Sequence, residues 1–205
     1  MVIELETSVG LARAHEFGDR ATSSVSIIAS HGAGGGIEAF DLQALATAGL
    51  HGYLIEQPWR VAGKKLAPRP AVLDTAWCEL VPRLVTSDRV VLAGRSAGAR
   101  VACRTAGALG AHSVITLAFP LHPPGKPEAS RIDELNGAGV PVLALQGERD
   151  AFGTAAELVA VADAHVRVVE LPWADHGMAV PKKSGLTQAQ TAAALVDGVR
   201  SFLRE

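Results

Sequence analysis

Aromatic residues are scarce in this chain of 205 residues, with three Trp, one Tyr and five Phe. The core must therefore be assembled from small and branched aliphatics, which 36 Ala and 21 Val supply. Cysteine is nearly absent: Cys78 and Cys103 can form neither a disulfide framework nor a zinc cage. No sign of charge dominates, because 19 basic residues face 21 acidic ones. The electrostatic footprint of a nucleic-acid or anionic-membrane partner is missing. No run approaches the 18 or so apolar residues that a membrane span needs. The opening MVIELETSVG has acids where a signal peptide needs a basic stretch and an apolar run, so a cytoplasmic location is expected. With 48% hydrophobic and 20% charged residues, the chain reads as one globular domain over residues 1–205.

What is present is an alternation of short apolar runs with helix-length segments. Strands are expected at Val25 to Ala29, Tyr53 to Ile55, Val90 to Ala93, Ser113 to Ala118, Val142 to Leu145 and Val166 to Leu171. Helices are expected at Glu38 to Ala48, from Pro70 onward, at Ala97 to Ala108, Ala155 to Ala162 and Thr187 to Leu203. Continuous apolar strands between amphipathic helices imply an α/β fold with a mostly parallel, doubly wound sheet. Val2 to Thr7 and Leu11 to Phe17 have no helix between them and read as an N-terminal edge hairpin. Gln57 to Arg69 is left as a loop of about a dozen residues, a length often tied to function.

Three separated motifs carry chemistry. Gly94-Arg95-Ser96-Ala97-Gly98 fits G-x-S-x-G at the junction of a buried strand and a small-residue helix. That setting makes Ser96 the candidate nucleophile on a sharp turn. A serine hydroxyl needs a base and an orienting acid, expected later in the chain in the order acid, then histidine. Asp150 leaves the sheet edge after Val142 to Leu145, with Glu148 as local competitor and Asp133 and Asp163 as weaker ones. His176 alone among seven histidines follows the last strand. The third motif is His31-Gly32-Ala33-Gly34-Gly35-Gly36, a loop able to aim backbone N–H groups at an oxyanion. Ala33, with Gly34 as near alternative, and Ala97 are the expected donors, and His31 is read as a brace for the loop.

The same glycines allow a rival. Gly34 to Ala39 fits G-x-G-x-x-A, and Glu56 ends the next strand about twenty residues on, as in a dinucleotide-binding unit. That reading leaves Ser96, Asp150 and His176 unexplained.

SHGAGGG at 30–36, EQPWRVAGKK at 56–65, GRSAGARVA at 94–102, FPLHPPGKPE at 119–128, QGERDAFG at 146–153 and ADHG at 174–177 follow in order over most of the chain. On these segments the chain resembles the α/β-hydrolases. More narrowly it resembles the small dienelactone-hydrolase-related group that includes testis-expressed protein thirty and its bacterial relatives. The resemblance implies Ser96, Asp150 and His176 as a triad and supplies no substrate. It also implies an alternative, a catalytically idle scaffold that binds a partner.

The expected activity is cleavage of a small ester or thioester through an acyl-enzyme, a chemistry that uses no cofactor and no metal. Trp59, Arg60 and His122 sit on loops leaving the carboxyl ends of strands and are candidate substrate contacts, Trp59 and Arg60 beside Lys64 and Lys65. Sheet, helices and site loops consume nearly the whole length. Only about ten residues around Pro120 to Ser130 remain where a cap could be inserted, so a capless, open site is expected. The oligomeric state has no sequence signal.

Overall fold

The computed structural model describes residues 1–204. Eight strands form one sheet: β1 (Val2–Thr7), β2 (Gly10–Phe17), β3 (Ser26–Ser30), β4 (His51–Glu56), β5 (Val90–Arg95), β6 (Ser113–Leu117), β7 (Val142–Gly147) and β8 (Val166–Leu171). Their order is β1-β2-β4-β3-β5-β6-β7-β8. The β1–β2 hairpin is antiparallel and docks antiparallel on β4, and every other pairing is parallel. The edge hairpin read from the sequence is therefore present.

The helices are α1 (Phe40–Ala46), α2 (Pro58–Val61), α3 (Pro70–Leu84), α4 (Ala97–Thr105), α5 (Ile132–Asn136), α6 (Ala155–Val161) and α7 (Gln188–Arg204). The two-residue period of the strands splits the core into two layers. On β5, Leu92 joins Trp77, Leu80 and Val101 beneath α3 and α4, while Val91 and Ala93 join Leu42, Leu45, Leu195 and Val199 beneath α1 and α7. Both faces of the central strands are covered, which is why β3, β6 and β7 are buried along their whole length.

Several boundaries differ from the sequence expectation. The segment after β4 is not all loop, since Pro58 sits at the first turn of the short α2. α1 begins at Phe40, because Glu38 is spent on a turn in which its carboxylate accepts from the Gly36 N–H. α4 stops at Thr105, where a run of turns containing Gly107 and Gly110 replaces the last helical residues. α6 ends at Val161, one residue short of the expected Ala162, so Asp163 lies beyond it. Among the described residues, no separate cap covers the carboxyl ends of the strands. The segment 119–131 folds down instead, with Arg131 donating from its backbone to Leu121 O and from its guanidinium to Pro120 O.

Candidate active site

The elbow is built by two glycines that cannot be replaced in place. A Cβ on Gly94 would lie 2.3 Å from the backbone of Gly98, and a Cβ on Gly98 would lie 2.5 Å from Ser30 O. Removing both Cβ atoms lets α4 start directly against β3. Between them Ser96 adopts φ 51°, ψ −109°, a conformation that L-residues rarely hold. The serine hydroxyl is thereby lifted off the carboxyl end of β5 at the N-terminus of α4.

Ser96 Oγ lies 3.0 Å from His176 Nε2. On the other side of the ring, Nδ1 lies 2.8 Å from Asp150 Oδ2 and 3.0 Å from Oδ1. A carboxylate can only accept, so Nδ1 carries the proton and Nε2 is free to accept from the serine. Asp150 is 2% exposed. Its Oδ2 accepts from Gln146 Nε2 at 3.0 Å and its Oδ1 from the Phe152 N–H at 2.8 Å. The Phe152 ring lies 4.2 Å from the imidazole, tilted by 31°, and closes one side of it.

The 31–36 loop runs beside this array. A Cβ on Gly32 would approach Ser96 Cβ to 3.2 Å, so the loop passes within contact of Ser96. Ala33 and Gly34 follow it and are exposed to solvent. Ala97 opens α4, where first-turn N–H groups have no partner within the helix. His31 is buried beneath the loop. Its Nδ1 contacts Gly32 O at 2.8 Å and its Nε2 accepts from the Gln57 N–H at 3.1 Å. Burial, with the Arg60 charge nearby, holds its pKa below the usual histidine value.

The structure places the remaining candidates differently. Glu148 accepts from the Trp173 N–H at 2.6 Å, and Asp133 and Asp163 are exposed on other faces, so none of the three is paired with His176. Trp59 is 6% exposed, packs edge-on against His31 at 5.5 Å and belongs to the core layer under α3. With Val9, Leu11, Val61, Val72 and Leu73 it walls a cavity of about 350 Å³ whose lining includes neither Ser96 nor His176. Arg60 is partly exposed on α2, on the His31 side. His122 is 7% exposed, with Nδ1 on Pro123 O and Nε2 3.4 Å from Glu157 on α6. Its ring nitrogens thus fasten the 119–131 segment. Of the rival dinucleotide signature, Gly34 and Gly35 have open space where a Cβ would go, and Glu56 faces Arg13 and His15.

Sequence reasoning missed the residues that hold the array. Gln146 is fully buried and shares its Nε2 protons among Asp150, Phe119 O and Gly153 O, and its place in QGERD was the available signal. Arg95, the variable position of the elbow, donates from Nη2 to His176 O at 2.8 Å and sits 3.0 Å from the buried Asp41. Asp41, one acid in the first turn of α1, carried no signal at all.

Residues 23–204 match the family described as alpha/beta hydrolase domain. A comparison with curated proteins gives no match. Among solved structures, the chain is similar to a lidless α/β serine hydrolase from Xanthomonas campestris, with a TM-score of 0.73 and 19% identity over 98% of this chain and 94% of that one. It is also similar to an α/β serine hydrolase homologue from Coxiella burnetii, with a TM-score of 0.72 and 17% identity over 96% of each chain. Est1E from Butyrivibrio proteoclasticus gives a TM-score of 0.71 and 13% identity over 100% of this chain and 99% of that one. At such identities the likeness establishes the fold. The match over residues 23–204, together with the eight-stranded sheet and its elbow, makes this chain a member of the α/β-hydrolase domain family.

Proposed function

We propose that the protein is a serine hydrolase that cleaves a small ester or thioester through an acyl-enzyme, with Ser96, His176 and Asp150 as its triad. The observation that carries this reading is the continuous chain from Ser96 Oγ through both nitrogens of His176 to Asp150, with links of 3.0 and 2.8 Å. His176 Nε2 takes the serine proton as Oγ bonds to the substrate carbonyl carbon. Asp150 keeps the proton on Nδ1 and balances the imidazolium that forms. The N–H groups of Ala97 and of Ala33 or Gly34 receive the oxyanion. The tetrahedral intermediate then collapses, and His176 delivers its proton to the leaving oxygen or sulfur. A water deprotonated by the same nitrogen releases the acid and restores Ser96.

The serine hydrolase and esterase neighbours support hydrolysis as the reaction class. The open strand ends favour substrates that need no covering groove. The test is labelling with a fluorophosphonate probe. Wild type is expected to take up one equivalent and Ser96→Ala none. A folded wild type that stays unlabelled and turns over no ester of a short-chain panel would refute the reading.

A further inference from the structure

Resting on the hydrolase reading above, we infer that Arg95 is a positioning residue whose guanidinium, balanced by Asp41, sets the His176 loop against the nucleophile elbow and the oxyanion loop. Arg95 is the last residue of β5 and immediately precedes Ser96. Its side chain is 15% exposed and reaches three separate segments. Nη2 donates to His176 O at 2.8 Å. Nε lies 3.0 Å from Asp41 Oδ2, a charge contact whose angle falls short of a hydrogen bond. The Nη1 end lies against Gly32, where an added Cβ would come within 3.2 Å of it. One planar group thus touches the loop of the base, the loop of the expected oxyanion donor and, through Asp41, the helix that follows that loop.

Two features make this more than a stabilising ion pair. The Asp41 side chain is fully buried, and its Oδ1 accepts from the Leu42 N–H at 3.0 Å. Taking two charges out of water costs several kcal/mol, so an apolar pair of similar volume would stabilise the fold at least as well. What an apolar pair cannot do is donate to a carbonyl. Among the described residues, Arg95 is the donor to His176 O, because the turn at 174–179 closes through Asp175 and leaves that carbonyl out. The His176 ring is held by Asp150 and its backbone by Arg95. Losing the backbone hold leaves the imidazole free to swing about the Asp150 contact, and displacements of about 1 Å at a reacting group cost on the order of 100-fold in rate.

Lysine separates the two roles. An ammonium in place of the guanidinium satisfies Asp41 as a point charge and lacks the fork that reaches a second acceptor. Arg95→Lys is therefore expected to melt within a few degrees of wild type, while kcat and the fluorophosphonate labelling rate fall together by roughly 30–100-fold and KM changes less than threefold. The double variant Asp41→Leu/Arg95→Met removes both charges, so it keeps the fold without a lone buried ion and is expected to show the same loss. Wild-type kcat and labelling rate in both folded variants would overturn the proposal. So would a rise in KM with kcat unchanged, which would make Arg95 a substrate contact. The ring ¹⁵N and ¹H resonances of His176, assigned with His176→Gln, supply a readout that needs no turnover. If they shift or broaden in Arg95→Lys the positioning role stands even where the wild type proves unreactive toward the probe, and if they are unchanged it falls whatever the activity.

Discussion

Two histidines lie near Ser96, and their partners ask opposite things of them. His176 faces a carboxylate at one nitrogen and a hydroxyl at the other, so it can gain and return a proton without losing a partner. His31 accepts at Nε2 from the backbone N–H of Gln57, a donor that cannot withdraw. Protonating His31 would set two donors against each other in a buried site, in addition to the burial that already lowers its pKa. The sign of the pH effect follows. Below the usual histidine value of about 6.5 the unfolded chain binds a proton that the folded chain refuses. The stabilisation from neutral His31 is complete above about pH 6.5 and declines as pH falls through the window down to the lower folded value. Urea unfolding at pH 7.5 and pH 5.5 should show the free-energy gap between wild type and His31→Gln narrowing in acid. A gap that widens, or a His31 resonance that titrates near 6.5 in the folded state, would contradict this. At this scale the sequence was legible where a residue was unique in its place. His176 is the one histidine after β8, whereas Gln146, Arg95 and Asp41 act through side-chain directions that spacing does not encode.

Elements were legible where a periodic apolar pattern ran long enough, and less so where they are held by something else. α5 has five residues, of which Leu135 alone is buried. It is held by charge: Glu134 accepts from Arg100 and Arg104 of α4, and Arg104 also grips Asp74 of α3. Burial works to raise the Glu134 pKa, and the two guanidinium contacts overcome it, leaving the carboxyl below its usual value. A depressed carboxylate stabilises above the unfolded value of about 4.3 and loses that contribution as pH falls through the folded one. Glu134→Gln is expected to cost about 1–2 kcal/mol at pH 7, after allowance for partial exposure, and less at pH 3. Chemical denaturation at the two pH values measures it, and an equal cost at both would remove charge as the cause. The elbow fails in another way if its spacing is filled. Gly98→Ala pushes a methyl toward Ser30 O and is expected to cost roughly 2–3 kcal/mol. Gly107→Ala, in open space after α4, should change stability by less than about 1 kcal/mol. Equal urea midpoints for the two variants would mean that α4 does not need its close approach to β3. Among the described residues, the four non-glycine ones with positive φ, namely Ser96, Ala118, Trp173 and Met178, all lie on connections leaving the carboxyl ends of β5, β6 and β8. That clustering of strain at one rim is a tertiary property invisible to composition.

The scarcity of aromatics takes on a different meaning across the whole molecule. Of the aromatics on the loops that leave the sheet, Phe152 stacks on the His176 ring, while Trp59 and Phe119 are buried in the core. A cavity of about 350 Å³ lies behind Trp59 at this end of the sheet, and Ser96 is not among the residues that line it. Under the proposed hydrolase reading, the uncapped strand ends constrain acyl preference. A groove that desolvated an acyl chain would add about 0.8 kcal/mol per methylene, close to a fourfold gain in kcat/KM for each carbon added. With no separate cap among the described residues, that gain should stop within the first few carbons. For p-nitrophenyl esters, kcat/KM is expected to rise slightly from acetate to butyrate, then stay flat or fall through octanoate and dodecanoate. A steady climb to dodecanoate would mean that the chain finds an apolar path, and the cavity behind Trp59 would be its first candidate. Filling that cavity with Val72→Trp then decides the matter. If the climb disappears while acetate hydrolysis is unchanged, the cavity is the acyl site and the site is not open. If the climb persists, the chain lies elsewhere on the rim.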